Sequence, residues 1–252
     1  MSTPSDNSRP FTYRLVIAVV RPLLMLFTTR DWSGAENLPT GGGYVVCPNH
    51  YSYLEPLVVG HFLVDHGHSP RYLGKVEVFT APVVGAIVRR ADQIPVYRES
   101  GRAQDAYRAA VAAVRAGKGV AIYPEGTLTR DPDLWPMRGK TGAARVALET
   151  QCPVIPMATW GAHEVLAPFS TRLRLLPRRT MQVRAGAPVA LDDLYGREIT
   201  TEVLREATAR IMAAITAELE VLRGKQAPVV RFDPRAHGVT SIGRPGPLEE
   251  AS

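Results

Sequence analysis

At 252 residues the chain is long enough for one α/β domain with a full hydrophobic core, and its length does not call for a second. A formal charge of +6 and a pI near 9.5 favour anionic partners, and charge alone does not choose among phosphorylated small molecules, acidic lipid surfaces and nucleic acid. The only cysteines, Cys47 and Cys152, exclude a disulfide framework and a cysteine-ligated zinc site, and they fit a reducing compartment.

The opening MSTPSDNSRP is polar and no small-residue cleavage pattern follows, so no signal peptide is expected. Residues 11–29, FTYRLVIAVVRPLLMLFTT, are apolar over nearly the length of a bilayer span, but Arg14, Arg21 and Pro22 interrupt them. Arg14, Arg21 and Thr28 recur at seven-residue steps and so share one helix face. That pattern suits a helix lying in a membrane interface, with a helix packed on the domain's own core as the alternative.

Alternation follows. GYVVCP reads as a buried strand and residues 55–66 as a helix, its start blurred by Pro56; residues 71–75 read as a strand, 81–89 as a short helix and 94–97 as a strand. An Ala-rich helix over 102–116 closes at Gly117, GVAIYP is a strand, 140–150 a helix and 154–160 another buried strand. Residues 181–190 resemble an edge strand and 200–223 a helix, while the Pro- and Gly-rich stretch from 226 onward reads as a loose tail. The pattern predicts an α/β fold: a largely parallel central sheet flanked by helices, with an N-terminal membrane-interfacial helical element. Its expected divisions are 1–33 (tail and interfacial helix), 34–225 (the domain) and 226–252 (the tail).

Ligands of parallel sheets sit beyond the carboxyl ends of the strands, and the three most polar short motifs all fall there. NHYSYLE follows GYVV, YRES follows IPV, and PEGTLTR follows GVAIY, so Asn49, His50, Glu55, Arg98, Glu125, Thr127 and Arg130 are expected to converge on one crevice. His50 can act as a general base with Glu55 fixing its tautomer, the base-plus-orienter half of a triad without a protein nucleophile. A structural histidine capping a helix is the competing reading. PEGTLTR is a Gly-containing turn with a hydroxyl and a following cation, the kind of loop that holds phosphate.

These motifs resemble the glycerolipid acyltransferases of the 1-acyl-sn-glycerol-3-phosphate acyltransferase type. Their Asn-His followed by four residues and Asp is similar to Asn49-His50-YSYL-Glu55; their second block resembles LGKVEVF, with Lys75 and Glu77, and IPVYR, with Arg98. Phe-Pro-Glu-Gly-Thr-Arg resembles YPEGTLTR, Val-Pro-Val-Ile-Pro-Val resembles CPVIPMA, and Lys-x-Gly-Ala is present as GKTGAA. The blocks keep their order across roughly residues 34 to 165. Glu55 stands for the family's aspartate, and Leu128 for the arginine after Thr127, which leaves Arg130, Arg138 or Lys140 to supply that charge.

The resemblance implies transfer of a fatty acyl chain from acyl-CoA or acyl carrier protein to the sn-2 hydroxyl of lysophosphatidic acid or another lysolipid. His50 and Glu55 would be catalytic, and backbone amides near the PEGT turn would stabilise the oxyanion. Lys75, Arg98, Glu125, Gly126, Thr127 and Arg130 would form the acceptor-phosphate pocket, with Glu125 positioning an arginine or the loop. No cofactor or metal is expected beyond acyl-CoA as co-substrate, and no nucleic acid, because the basic residues lack interleaved aromatics. The expected location is the cytoplasmic face of the cell membrane, peripheral or monotopic, with Arg172, Arg174, Arg178, Arg179 and Arg184 facing CoA phosphates, acidic headgroups or solvent. Three competing functions are a thioesterase or hydrolase using Cys47, an acyltransferase with a different lipid or glycolipid acceptor, and a non-catalytic membrane binder. His61, His66, His68 and His163 receive no role, and Trp135 and Trp160 read as core or interface residues.

Overall fold

The computed structural model describes residues 11–80, 82, 84–96, 103–234 and 236, with Lys75, Val84 and Ala103 described by their backbone alone. Seven strands form one sheet: β1 (Thr28–Ser33), β2 (Tyr44–Pro48), β3 (Arg71–Lys75), β4 (Ile94–Val96), β5 (Gly119–Ala121), β6 (Val154–Trp160) and β7 (Arg179–Ala185). Their spatial order is β1-β7-β6-β2-β5-β3-β4. Every neighbouring pair is parallel except β6 with β7. The helices are α1 (Phe11–Phe27), α2 (Glu55–Asp65), α3 (Val76–Thr80), α4 (Val84–Arg90), α5 (Ala103–Arg115), α6 (Gly142–Thr150), α7 (Ala162–Val165) and α8 (Thr201–Arg223).

The period of two along β2 splits the core between the faces of the sheet. Val45 and Cys47 pack with α5, α6 and α8 on one face, and Tyr44 and Val46 with α2 and α7 on the other. Both layers are needed because β2, between β6 and β5, is buried along its whole length. Thr200 caps α8 by accepting from the Val203 amide at 3.3 Å, and Gly224 ends the helix in the left-handed conformation.

Three expectations need revision. The first helix stops at Phe27, and Thr28 begins a strand that pairs in parallel with β7, so β7 is covered by β1 and is not an edge strand. Arg21 and Thr28 do not lie with Arg14 on one outward face: Arg21 pairs with Asp65 of α2 at 2.7 Å, and Thr28 is buried, its hydroxyl donating to the Leu24 carbonyl at 2.6 Å. A short helix, α3, follows β3, where none was expected.

Arg178 closes the C-terminus of α1 by donating to the carbonyls of Met25 (2.7 Å) and Thr28 (2.8 Å), as a cation does at the negative end of a helix. What α1 turns outward is apolar: Phe11, Leu15, Val19, Leu23 and Leu26, spaced three or four residues apart, are all more than half exposed. Among the described residues no helix is long and apolar enough to cross a membrane.

Candidate active site

The chain leaves β2 at Pro48 and re-enters regular structure at Glu55, the first residue of α2. Pro56 sits in the first helical turn, where its missing N–H costs nothing. Asn49 continues the strand with its side chain: Oδ1 accepts from the Thr159 amide at 2.8 Å and Nδ2 donates to the Thr159 carbonyl at 3.2 Å. Glu55 is fully buried and folds back over the turn, accepting from the Tyr51 amide (2.9 and 2.5 Å to its two oxygens) and the Ser52 amide (2.9 Å).

The same carboxylate faces the histidine. His50 Nδ1 lies 3.4 Å from Glu55 Oε2, an ion-pair distance without an aligned hydrogen bond. Burial raises the Glu55 carboxyl above its ordinary range, and His50 and the amides of Tyr51 and Ser52 pull it back down. The other side of the imidazole packs on Tyr123, with ring centroids 4.3 Å apart and planes inclined by 39°.

β5 lies beside β2, so the turn after it meets the His50 loop directly. Glu125 Oε1 accepts from the His50 amide at 3.0 Å, Oε2 accepts from the Met137 amide at 2.9 Å, and the His50 carbonyl accepts from the Thr129 amide at 2.6 Å. Burial pushes the Glu125 carboxyl up to about 8. Gly126 closes the turn at φ +68°, its amide donating to the Tyr123 carbonyl at 3.0 Å. Among the described residues the amides of Thr127 and Leu128 carry no hydrogen bond.

His50 opens on a cavity of about 950 Å³. Its wall includes Tyr53, Tyr123, Gly126, Thr127 and Lys140 and is mainly apolar, with Val16, Ile17 and Val20 of α1, Leu57 of α2, and Phe79, Ile87 and Val88 of α3 and α4; Arg21, His61, Tyr72 and Gln93 add further polar groups. A mainly apolar cavity with a few polar groups fits an apolar ligand with a polar head.

The structure therefore brings His50, Glu55, Glu125, Gly126 and Thr127 together at the carboxyl ends of β2 and β5. Lys75 ends β3 at the same edge of the sheet, by its backbone, and Arg98 falls outside the described residues. Arg130 is not on the cavity wall: it is buried, its guanidinium 4.6 Å from the Phe169 ring. Glu125 holds the His50 loop. Of the basic segment, Arg179 pairs with Glu164 at 3.0 Å and Arg184 with Glu218 at 2.5 Å, which with Arg178 leaves Arg172 and Arg174 exposed. Sequence reasoning missed Tyr123, whose aromatic ring just before the PEG turn was the available signal.

Cys47 is fully buried, and burial pushes its thiol well above the usual range, so it has no path to a thioester. His68 accepts or donates at 2.8 Å to Tyr44, and His61 packs edge-on against Trp32. Trp135 and Trp160 sandwich the Arg223 guanidinium at 3.9 and 4.2 Å.

The largely parallel α/β sheet thus sets a histidine and a carboxylate at the end of a central strand, beside a mainly apolar cavity. The family model described as Acyltransferase matches residues 30–160, just over half of the chain, and the chain belongs to that family. It is 31% identical over 142 residues to the chloroplastic 1-acyl-sn-glycerol-3-phosphate acyltransferase BAT2 of Brassica napus, covering 56% of this chain and 40% of that one. To the 1-acyl-sn-glycerol-3-phosphate acyltransferase of Bacillus subtilis it is 24% identical over 190 residues, with 75% and 86% covered. The chain thus spans less than half the length of the Brassica relative. The crystal structure of the 1-acyl-sn-glycerophosphate (LPA) acyltransferase PlsC from Thermotoga maritima shares the fold, with a TM-score of 0.67 at 20% identity over 90% of this chain and 86% of that one.

Proposed function

We propose that the protein is a 1-acylglycerol-3-phosphate O-acyltransferase. It moves a fatty acyl chain from acyl-CoA or acyl carrier protein to the sn-2 hydroxyl of lysophosphatidic acid, giving phosphatidic acid. The observation that carries this reading is His50 set 3.4 Å from a fully buried Glu55 on the wall of a mainly apolar cavity of about 950 Å³.

In this mechanism Glu55 holds the proton of His50 Nδ1, leaving Nε2 to take the proton of the acceptor hydroxyl. The alkoxide oxygen attacks the thioester carbonyl, a C–O bond forms, the C–S bond breaks, and the proton passes from Nε2 to the departing thiolate. The Thr127 and Leu128 amides are the oxyanion donors of this mechanism, because the Gly126 amide is already bound to Tyr123. His50 cannot drift from this position, since its own N–H and C=O are bonded to Glu125 and Thr129.

A peripheral seat on the cytoplasmic face of the cell membrane belongs to the same reading. Its support is the exposed apolar stripe of α1, whose inner face lines the cavity, so that a lipid chain can pass from bilayer to site. Leu128, buried where the resemblance puts an arginine, favours a second reading in which the acceptor is another lipid or glycolipid hydroxyl. Incubating the protein with oleoyl-CoA and a panel of lysophosphatidic acid, lysophospholipids, a monoacylglycerol and glycolipids decides between them. Phosphatidic acid as the main product supports the first reading. A different acylated lipid establishes the second, and CoA release without lipid product overturns both.

A further inference from the structure

Acyl transfer to a phosphate-bearing acceptor calls for a cation near the acceptor's phosphate, and Leu128, where the sequence resemblance puts an arginine, is buried. Arg130 faces Phe169, and Arg138 is exposed but absent from the cavity wall. Among the described residues Lys140 is the lysine on that wall.

Its placement is built by the backbone. The Lys140 amide donates to the Pro124 carbonyl at 2.8 Å, folding the lead-in to α6 back across the PEG turn. Gly126, at φ +68°, has no Cβ to keep the side chain away: a Cβ there would stand 3.0 Å from Lys140 Nζ and 3.2 Å from its Cδ. The ammonium therefore lies across the glycine, and Lys140 lines the same cavity as Thr127 and His50.

We infer that Lys140 takes the acceptor's phosphate in this chain, doing from the far end of the loop what an arginine after Thr127 does not do here. The inference rests on the acyl-transfer reading. A flexible ammonium is a point charge and suits a phosphomonoester that must be gripped without a fixed fork. Gly126 then has a double role: it makes the turn, and it leaves the passage through which the lysine reaches the ligand.

The test compares wild type, Lys140→Met and Lys140→Arg for the KM of lysophosphatidic acid and of oleoyl-CoA. Loss of a charged hydrogen-bond partner predicts a lysophosphatidic acid KM raised by about tenfold or more in Lys140→Met, with the donor KM moving far less, and a smaller rise in Lys140→Arg. An unmoved acceptor KM, or equal rises for both substrates, overturns the inference. A second measurement needs no variant: labelling wild-type lysines with an acetylating reagent, read by mass spectrometry. Lysophosphatidic acid should protect Lys140 and a monoacylglycerol of the same chain should not; equal protection overturns the inference. Failure of the wild type to acylate lysophosphatidic acid at all would instead sink the reading beneath it.

Discussion

The Glu125 carboxylate accepts a hydrogen bond from the His50 backbone amide at 3.0 Å, so the acid of one loop fixes the main chain of the base in another. Its second oxygen ties in Met137 at 2.9 Å. An acid inside a site expected to bind an anion is thereby explained: it serves the loop geometry and is turned from the ligand.

Burial also makes Glu125 a source of pH dependence. Its carboxyl is pushed from 4.5 up to about 8, so between those values the folded chain keeps a proton that the unfolded chain has released. Stability from this group is present at low pH and is lost as pH rises through the window. Differential scanning calorimetry of wild type and Glu125→Gln across it should show the wild type losing melting temperature relative to the variant as pH rises. A gap between the two that is independent of pH contradicts the assignment.

Glu55 has two tasks, facing His50 and accepting from the Tyr51 and Ser52 amides. Glu55→Gln removes the charge and turns one acceptor into a donor. The expected outcome is a fall in kcat on the order of 10² to 10⁴, from the loss of the orienting carboxylate. Stability should also fall by about 1–3 kcal/mol, from a buried amide left unpaired. Glu55→Asp keeps the charge but is one methylene shorter, and should lie between the two in kcat. Steady-state kinetics with a urea melt of each variant checks both quantities.

Tyr123 supports the imidazole by its ring, for its buried hydroxyl has no hydrogen-bond partner among the described residues. Tyr123→Phe should therefore hold kcat within about threefold, while Tyr123→Ala gives up an aromatic contact of about 0.5–1.5 kcal/mol and the restraint on His50. Kinetics at saturating substrate will show whether the two variants separate. A Phe variant as impaired as the Ala variant would mean that the hydroxyl, not the ring, is what matters.

The outer face of α1 should govern binding to lipid. Leu15 and Val19 are about half exposed, so replacing both with serine leaves the core untouched. With the burial of each apolar side chain contributing on the order of 1.5–3 kcal/mol, co-sedimentation with anionic liposomes should weaken roughly tenfold or more. Binding that persists unchanged would move the membrane contact elsewhere, for instance to the exposed Arg172, Leu173 and Arg174.

Much of this was legible in the residues. Buried apolar runs at β2, β5 and β6, each ending in a polar motif, gave the parallel sheet and the meeting of His50 with the PEGT loop, because both signals are local in sequence. What escaped was set by distant partners. β1 is half exposed and exists through pairing with β7, about 150 residues away in sequence, with no local pattern to announce it. The seven-residue spacing of Arg14, Arg21 and Thr28 suggested one outward face, yet Asp65 draws Arg21 inward and the sheet takes Thr28. Arg130 and Lys140 were interchangeable as charges along the chain. Phe169 and the bare Cα of Gly126 send them in different directions.

The central claim is that His50 is the base in direct acyl transfer, with no acyl-enzyme intermediate. The measurement that tests it most directly is turnover of oleoyl-CoA with lysophosphatidic acid by wild type and His50→Ala, following lipid product and free CoA together, with intact-mass spectrometry of the protein during turnover. The account predicts product and CoA in equal amounts from the wild type, a loss on the order of 10² or more in the variant, and an unmodified protein mass throughout. Near-wild-type product formation by His50→Ala, or a protein carrying an acyl group during turnover, would contradict it.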